Sequence, residues 1–134
     1  MGSGLILDST FLVDLESEAH DGDPGPAHWF LAENRDRELC ITLTTAAELA
    51  SGPQRGERKA WEALVNRFRI IVLDLDSAWA FGQISQYLRA NNLPVPAGHL
   101  YVAAVAVVHG LTLVTRDVRP FKRVPGLKLM THMD

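Results

Sequence analysis

Asp8, Glu48 and Asp117 each stand just beyond an apolar, strand-like run. Asp8 closes Leu5-Ile6-Leu7, Glu48 lies in the helix expected after Leu39-Cys40-Ile41-Thr42-Leu43, and Asp117 follows Leu111-Thr112-Leu113-Val114-Thr115. If the three runs are parallel strands of one sheet, acids from distant segments meet at one of its ends. Carboxylates gathered in this way repel one another unless a hard divalent cation neutralises them, so the chemistry they offer is binding of Mg²⁺ or Mn²⁺. Each acid also has a plainer role. Asp8 and Asp117 can cap turns, and Glu48 can be the last residue of a capping box, Thr45-Ala46-Ala47-Glu48. The residues alone leave both readings open.

The elements that must position these acids follow from hydrophobic period and punctuation. After the strand ending at Asp8, Ser9 or Thr10 can cap a helix through Phe11 to Leu15, and Glu16 to Pro26 reads as a loop rich in Gly and Pro. A second helix carries Trp29, Phe30 and Leu31. After the strand Leu39 to Leu43, the capping box opens a helix that Gly52-Pro53 ends or kinks. Arg58 to Phe68 places Trp61, Leu64, Val65 and Phe68 on one helical face. Arg69 to Leu73 reads as a strand, Ser77 as the cap of a helix from Ala78 to Ala90, and Asn91 to Pro96 as a break. Leu100 to Val108 is almost wholly apolar, as a helix buried on most sides would be, and Gly110 stops it before the strand Leu111 to Thr115. A turn near Phe121 precedes a last short strand, Leu127 to Met130.

Strands alternating with helices imply right-handed crossovers and a mainly parallel sheet covered on both faces, with sites beyond the carboxyl ends of the strands. The 134 residues, 47% hydrophobic and 22% charged, suit a single α/β domain over residues 1–134. Met1-Gly2-Ser3-Gly4 reads as a flexible leader. The one cysteine, Cys40, excludes an intramolecular disulfide and reads as buried. No run reaches the roughly 18 apolar residues of a membrane helix and no secretory signal opens the chain, so a soluble, cytoplasmic protein is expected. A net charge of −3 argues against nonspecific coating of nucleic acid, though not against a local basic groove.

Three segments carry a family resemblance that spans essentially the whole chain. Leu5-Ile6-Leu7-Asp8-Ser9-Thr10-Phe11-Leu12-Val13-Asp14-Leu15 resembles the opening motif of PIN domains. Thr44-Thr45-Ala46-Ala47-Glu48-Leu49-Ala50-Ser51-Gly52 is similar to the second, and Leu111-Thr112-Leu113-Val114-Thr115-Arg116-Asp117, with Phe121 and Val124-Pro125-Gly126-Leu127, resembles the C-terminal signature. The resemblance is to VapC-like toxin ribonucleases of VapBC pairs. It implies a three-layer α/β/α domain whose Asp8, Glu48 and Asp117 hold Mg²⁺ or Mn²⁺, with Ser9, Thr10 and Thr115 as supporting hydroxyls. It also implies a metal that activates water for in-line attack on an RNA phosphodiester, an antitoxin partner and a homodimer. Asp14 lies near the first motif and reads first as an ordinary exposed helix acid and second as a contributor to the same site.

The pattern breaks at His99. Relatives carry an acid where His99-Leu100-Tyr101-Val102-Ala103-Ala104 opens its helix, and a further acid near Arg119-Pro120 is also missing. Thr10 stands where relatives often have Asn. Imidazole ligates Mn²⁺ or zinc but suits Mg²⁺ poorly. His99 therefore reads as a ligand for a softer metal, a proton carrier, a mark of lost activity, or a solvated residue at a helix start. His20, His28, His109 and His132 show no ligand spacing and read as surface residues. Arg116, Arg119, Lys122, Arg123 and Lys128 bracket Asp117 as phosphate-positioning groups or as a solvated face, with Arg55, Arg58 and Arg89 as more remote candidates. The rival functions are a PIN-like domain that binds RNA or an antitoxin-like partner without cleaving, and an unrelated doubly wound receiver or nucleotide binder. The last lacks both G-x-G-x-x-G and G-x-x-x-x-G-K-[ST].

Overall fold

The computed structural model describes residues 4–52 and 57–133. Five short strands, β1 (Leu5–Leu7), β2 (Leu39–Thr42), β3 (Arg69–Ile71), β4 (Thr112–Val114) and β5 (Lys128–Met130), form one sheet in the order β3-β2-β1-β4-β5. Every pairing is parallel, with Ile6 opposite Cys40 on one side and Leu113 on the other. The chain steps outward from β1 to β3, then crosses back to lay β4 and β5 on the far side of β1. The carboxyl ends of β1 and β4 therefore flank the topological switch point, where open α/β sheets bind their ligands.

Helices cover both faces, so the central strand β1 is wholly apolar and buried, as buried parallel strands are. Leu5, Leu7, Ile41 and Val114 pack with Phe11, Leu12, Phe30, Ala46 and Val65, which come from α1 (Ser9–Asp21), α2 (Pro26–Glu33), α3 (Leu43–Ala50) and α4 (Arg58–Val65). Ile6, Cys40 and Leu113 point the other way, onto Ile84, Leu88 and Val102 of α5 (Leu75–Ala90) and α6 (Ala97–His109). The fully buried Ala103, Ala104 and Ala106 let α6 lie close to the sheet. Cys40 is buried as expected. No helix among the described residues is long and apolar enough to cross a membrane.

Several boundaries depart from the sequence reading, each for a local reason. Asp8 itself caps α1, its side chain accepting the Phe11 N–H, so neither Ser9 nor Thr10 is the cap. That helix continues to Asp21 through the segment expected to be a loop, because Glu18 uses its carboxylate to hold the start of α2. α3 starts at Leu43, since the Thr42 hydroxyl takes the Thr45 N–H at 3.1 Å; Glu48 is thereby an interior helical residue and not part of a capping box. Asp74 rather than Ser77 caps α5, accepting the Ser77 N–H at 2.7 Å. α6 ends where expected: Gly110 takes the left-handed conformation at φ 65°, and the Leu111 N–H returns to the Ala106 carbonyl at 2.9 Å. Phe121–Arg123 forms a 3₁₀ turn before β5. Pro53, Arg55 and residues 1–3 of the expected leader lie outside the described residues.

Candidate active site

Asp8 is the pivot. It leaves β1, bonds its own N–H to the Val114 carbonyl of β4 at 3.2 Å, and opens α1. The side chain is only 2% exposed and accepts three hydrogen bonds. Thr10 Oγ1 donates to Oδ1 at 2.6 Å and the Phe11 N–H to the same oxygen at 3.2 Å, while Thr115 Oγ1 donates to Oδ2 at 2.7 Å. A carboxylate offers about four lone-pair positions, so three donors fix its direction and leave acceptor capacity for a cation.

Thr115 joins the C-terminal motif to this carboxylate. Fully buried just past β4, it accepts the Asp117 N–H at 3.1 Å and lies 3.2 Å from Thr10 Oγ1. The Arg116 N–H closes the net by donating to Thr10 Oγ1 at 3.0 Å. Segments more than 100 positions apart are thus stitched together by two of the three expected hydroxyls; Ser9, half-buried at the start of α1, stands outside the net. The net anchors the backbone of Asp117 and leaves its side chain exposed.

Glu48 reaches the same region from α3, which packs against both α1 and α6. Its Oε2 lies over the first turn of α6, 3.6 Å from where a side chain on Gly98 would begin. Partial burial chiefly pushes its carboxyl above the ordinary range; the charge of Asp8 adds to that and His99 opposes it. Asp8, Glu48 and His99 therefore share one electrostatic field. An acid destabilised by a neighbouring acid is stabilised by a bound cation, so the donor chemistry fits a divalent metal. Among the described residues, no group of three His, Cys, Asp or Glu side chains is close enough to form a metal shell by itself. His99, the third residue of α6, is half-buried and packs edge-on against Phe121 with ring centroids 4.9 Å apart, which sets aside the freely solvated reading.

The surrounding cations divide. Arg116 pairs with Asp14. Arg119 is exposed in the turn after Asp117, as are Lys122 and Lys128 farther on. The Arg123 guanidinium donates to the Pro94 carbonyl at 2.7 Å and so ties the 3₁₀ turn to the loop before α6. Arg58 pairs with Glu62 within α4, and Arg89 lies in the last turn of α5.

Three side chains that read as exposed in the sequence are not exposed. Asp14 is not an exposed acid: its carboxylate is partly buried between Arg116 and His132. His132 is not a surface residue, being 6% exposed with Nε2 2.8 Å from Asp14 Oδ2. No spacing in the sequence could have paired residues 118 positions apart. His28 is likewise half-buried, bonded to Glu18 at 2.7 Å. His20 and His109 are exposed, as expected, the latter beside Asp74.

The model of the PIN domain family matches residues 5–127. Ribonuclease VapC1 of Rickettsia felis is 25% identical over 136 aligned positions, covering 96% of each chain. The tRNA(fMet)-specific endonuclease VapC of Shigella flexneri is 35% identical over 96 positions, 68% of this chain and 73% of the relative. Among solved structures, DNA-bound VapBC from Salmonella typhimurium contains a chain that superposes with a TM-score of 0.85 at 25% identity, over 98% of this chain and 99% of that one. A family model that runs from β1 to the threshold of β5, together with these relatives, leads to one assignment: this chain belongs to the PIN domain family and groups with its VapC ribonucleases.

Proposed function

We propose that the protein is a divalent-metal-dependent endoribonuclease, the toxin of a VapBC-type pair, with RNA as substrate and a cognate antitoxin as its protein partner. The observation that carries this reading is the buried Asp8 carboxylate, aimed by Thr10 and Thr115 at the switch point of the sheet and sharing its field with Glu48. Divalent-metal dependence is general among PIN nucleases of the VapC kind. Asp8, Glu48 and Asp117 would hold the ion, Mg²⁺ or Mn²⁺. When bound, the ion supplies Lewis acidity for phosphodiester hydrolysis and offsets the negative charge that develops on the phosphate.

The chain's own groups do the remaining work. Thr10 and Thr115 hold Asp8 in one orientation, Arg116 and Arg119 offer guanidinium donors to backbone phosphates, and His99 occupies the position that favours Mn²⁺ over Mg²⁺. Pairing into a homodimer is proposed from family resemblance.

His99 also supports a second reading, a PIN scaffold with weakened or lost cleavage that still binds RNA or an antitoxin-like partner. The test is incubation of the protein with a mixed RNA pool that includes tRNA, in Mg²⁺ and then Mn²⁺, beside Asp8→Asn and His99→Asp. Cleavage that is stronger in Mn²⁺ and absent from Asp8→Asn supports the nuclease. A parent inert in both metals beside an active His99→Asp variant transfers the conclusion to the second reading.

A further inference from the structure

Beside the acids lies a buried cluster that the reaction as described does not use. His132 follows β5 near the end of the described chain, its side chain wholly buried and its ring edge-on to Phe11 at 4.7 Å. Nε2 sits 2.8 Å from Asp14 Oδ2, and Nδ1 has no hydrogen-bond partner among the described residues. The other oxygen of Asp14, Oδ1, takes a donor from the Arg116 guanidinium. Arg116 immediately precedes Asp117 and donates its backbone N–H to Thr10, which in turn holds Asp8.

Such an arrangement is expensive for the fold alone. Burying a polar ring with one nitrogen unsatisfied costs free energy, and a partly exposed Arg–Asp pair returns little of it. What the cluster does achieve is direction. Asp14 is held by a buried donor on one side and so presents a fixed acceptor to Arg116 on the other. The guanidinium has five N–H donors in a rigid plane, and with one fixed on Asp14 the rest of the half-exposed group is set toward solvent at the rim of the acidic site.

We propose that His132 is a positioning residue for RNA binding: through Asp14 it orients the Arg116 guanidinium to clamp a backbone phosphate adjacent to the scissile one. The proposal rests on the nuclease reading and extends it to a specific contact. Three segments, α1, the loop after β4 and the tail after β5, act together on a single phosphate, and the C-terminal tail becomes part of the substrate site.

The experiment compares Arg116→Ala, His132→Gln, His132→Asn and the double variant Arg116→Ala with His132→Asn. The amide nitrogen of Gln reaches the position of Nε2, whereas that of Asn reaches only the position of Nδ1 and cannot contact Asp14. Binding of a short fluorescent single-stranded RNA is measured by anisotropy in EDTA over a range of salt, kcat and KM are measured in Mn²⁺, and melting of every variant is recorded. Arg116→Ala and His132→Asn are each expected to weaken RNA binding several-fold. Both raise KM more than they lower kcat, and both flatten the slope of log K against log salt by about 0.7, the loss of one phosphate contact on a single strand. Gln restores parental binding, and the double variant is no weaker than Arg116→Ala alone. The proposal is overturned if Asn and Gln behave alike in RNA binding, or if the two losses multiply in the double variant. A parent that binds RNA without cleaving it removes the nuclease reading and leaves the affinity comparison decisive; a parent that does neither overturns both.

Discussion

Thr115 does two things with one hydroxyl: it donates to Asp8 and accepts the Asp117 N–H. In Thr115→Val, an apolar methyl would face a buried carboxylate oxygen, and a backbone donor would lose its partner. Each unsatisfied buried group costs about 1–3 kcal/mol, so the variant is expected to be destabilised by at least that much in a guanidinium titration, with RNA cleavage lost as well. Thr115→Ser, which keeps the hydroxyl, recovers most of both. A Thr115→Val protein within about 0.5 kcal/mol of the parent would show that Asp8 is aimed by something else. At this scale the sequence was partly legible. Asp8 was visible because a polar residue directly after an apolar run marks a strand end, whereas Thr10 and Thr115 were visible only through the family motifs that contain them. Asp14 and His132 were misread, because burial of a charged or titratable side chain depends on which distant segment covers it.

Between elements, the clearest device is the cap that one helix provides for another. α2 opens at Gly25-Pro26, where the N-cap residue has no side chain to cap it. Glu18 on α1 supplies the missing acceptor, taking the N–H groups of Gly25, Ala27 and His28 at 2.9 to 3.0 Å and contacting His28 Nδ1 at 2.7 Å. Burial by itself would raise its carboxyl, but these bonds, led by the His28 side chain, outweigh burial and bring it from 4.5 down to about 2. A carboxylate whose folded value is depressed adds stability above its unfolded value, and that stability is lost as pH falls through 4.5 toward the folded value. A shift of this size corresponds to about 3 kcal/mol at neutral pH as an upper bound, which solvent screening of a partly exposed carboxylate reduces. Glu18→Gln should therefore melt several degrees lower at pH 7, and the gap should close as pH approaches about 2. An unchanged gap down to that pH would mean that the hydrogen bonds, not the charge, stabilise the start of α2. The long run of α1 was hidden for the same reason: Glu16 to Asp21 looks like loop composition until Glu18 is seen to have a task.

For the molecule as a whole, a divalent ion would link α1, α3 and the loop after β4, so its binding should appear as stability. A ligand that binds only the folded state adds about 2.7 kcal/mol at a free concentration about 100 times its Kd. Mn²⁺ is expected to raise the melting temperature by several degrees, EDTA to reverse the rise and Asp8→Asn to abolish it; a rise that survives Asp8→Asn would place the ion elsewhere. Hydrophobic period and the Gly and Pro breaks between elements determined the alternation of strand and helix, the parallel sheet and the burial of α6, and they allowed Asp8, Glu48 and Asp117 to share one end of the sheet. The family motifs lie in those same segments. Only the tertiary structure decided that Glu48 shares a field with His99, that Arg116 is held by Asp14, and that a histidine near the end of the chain is buried beneath them. Those contacts arise where elements far apart in sequence pack together, and local patterns carry information about an element's own faces but not about which side chain meets it from across the core.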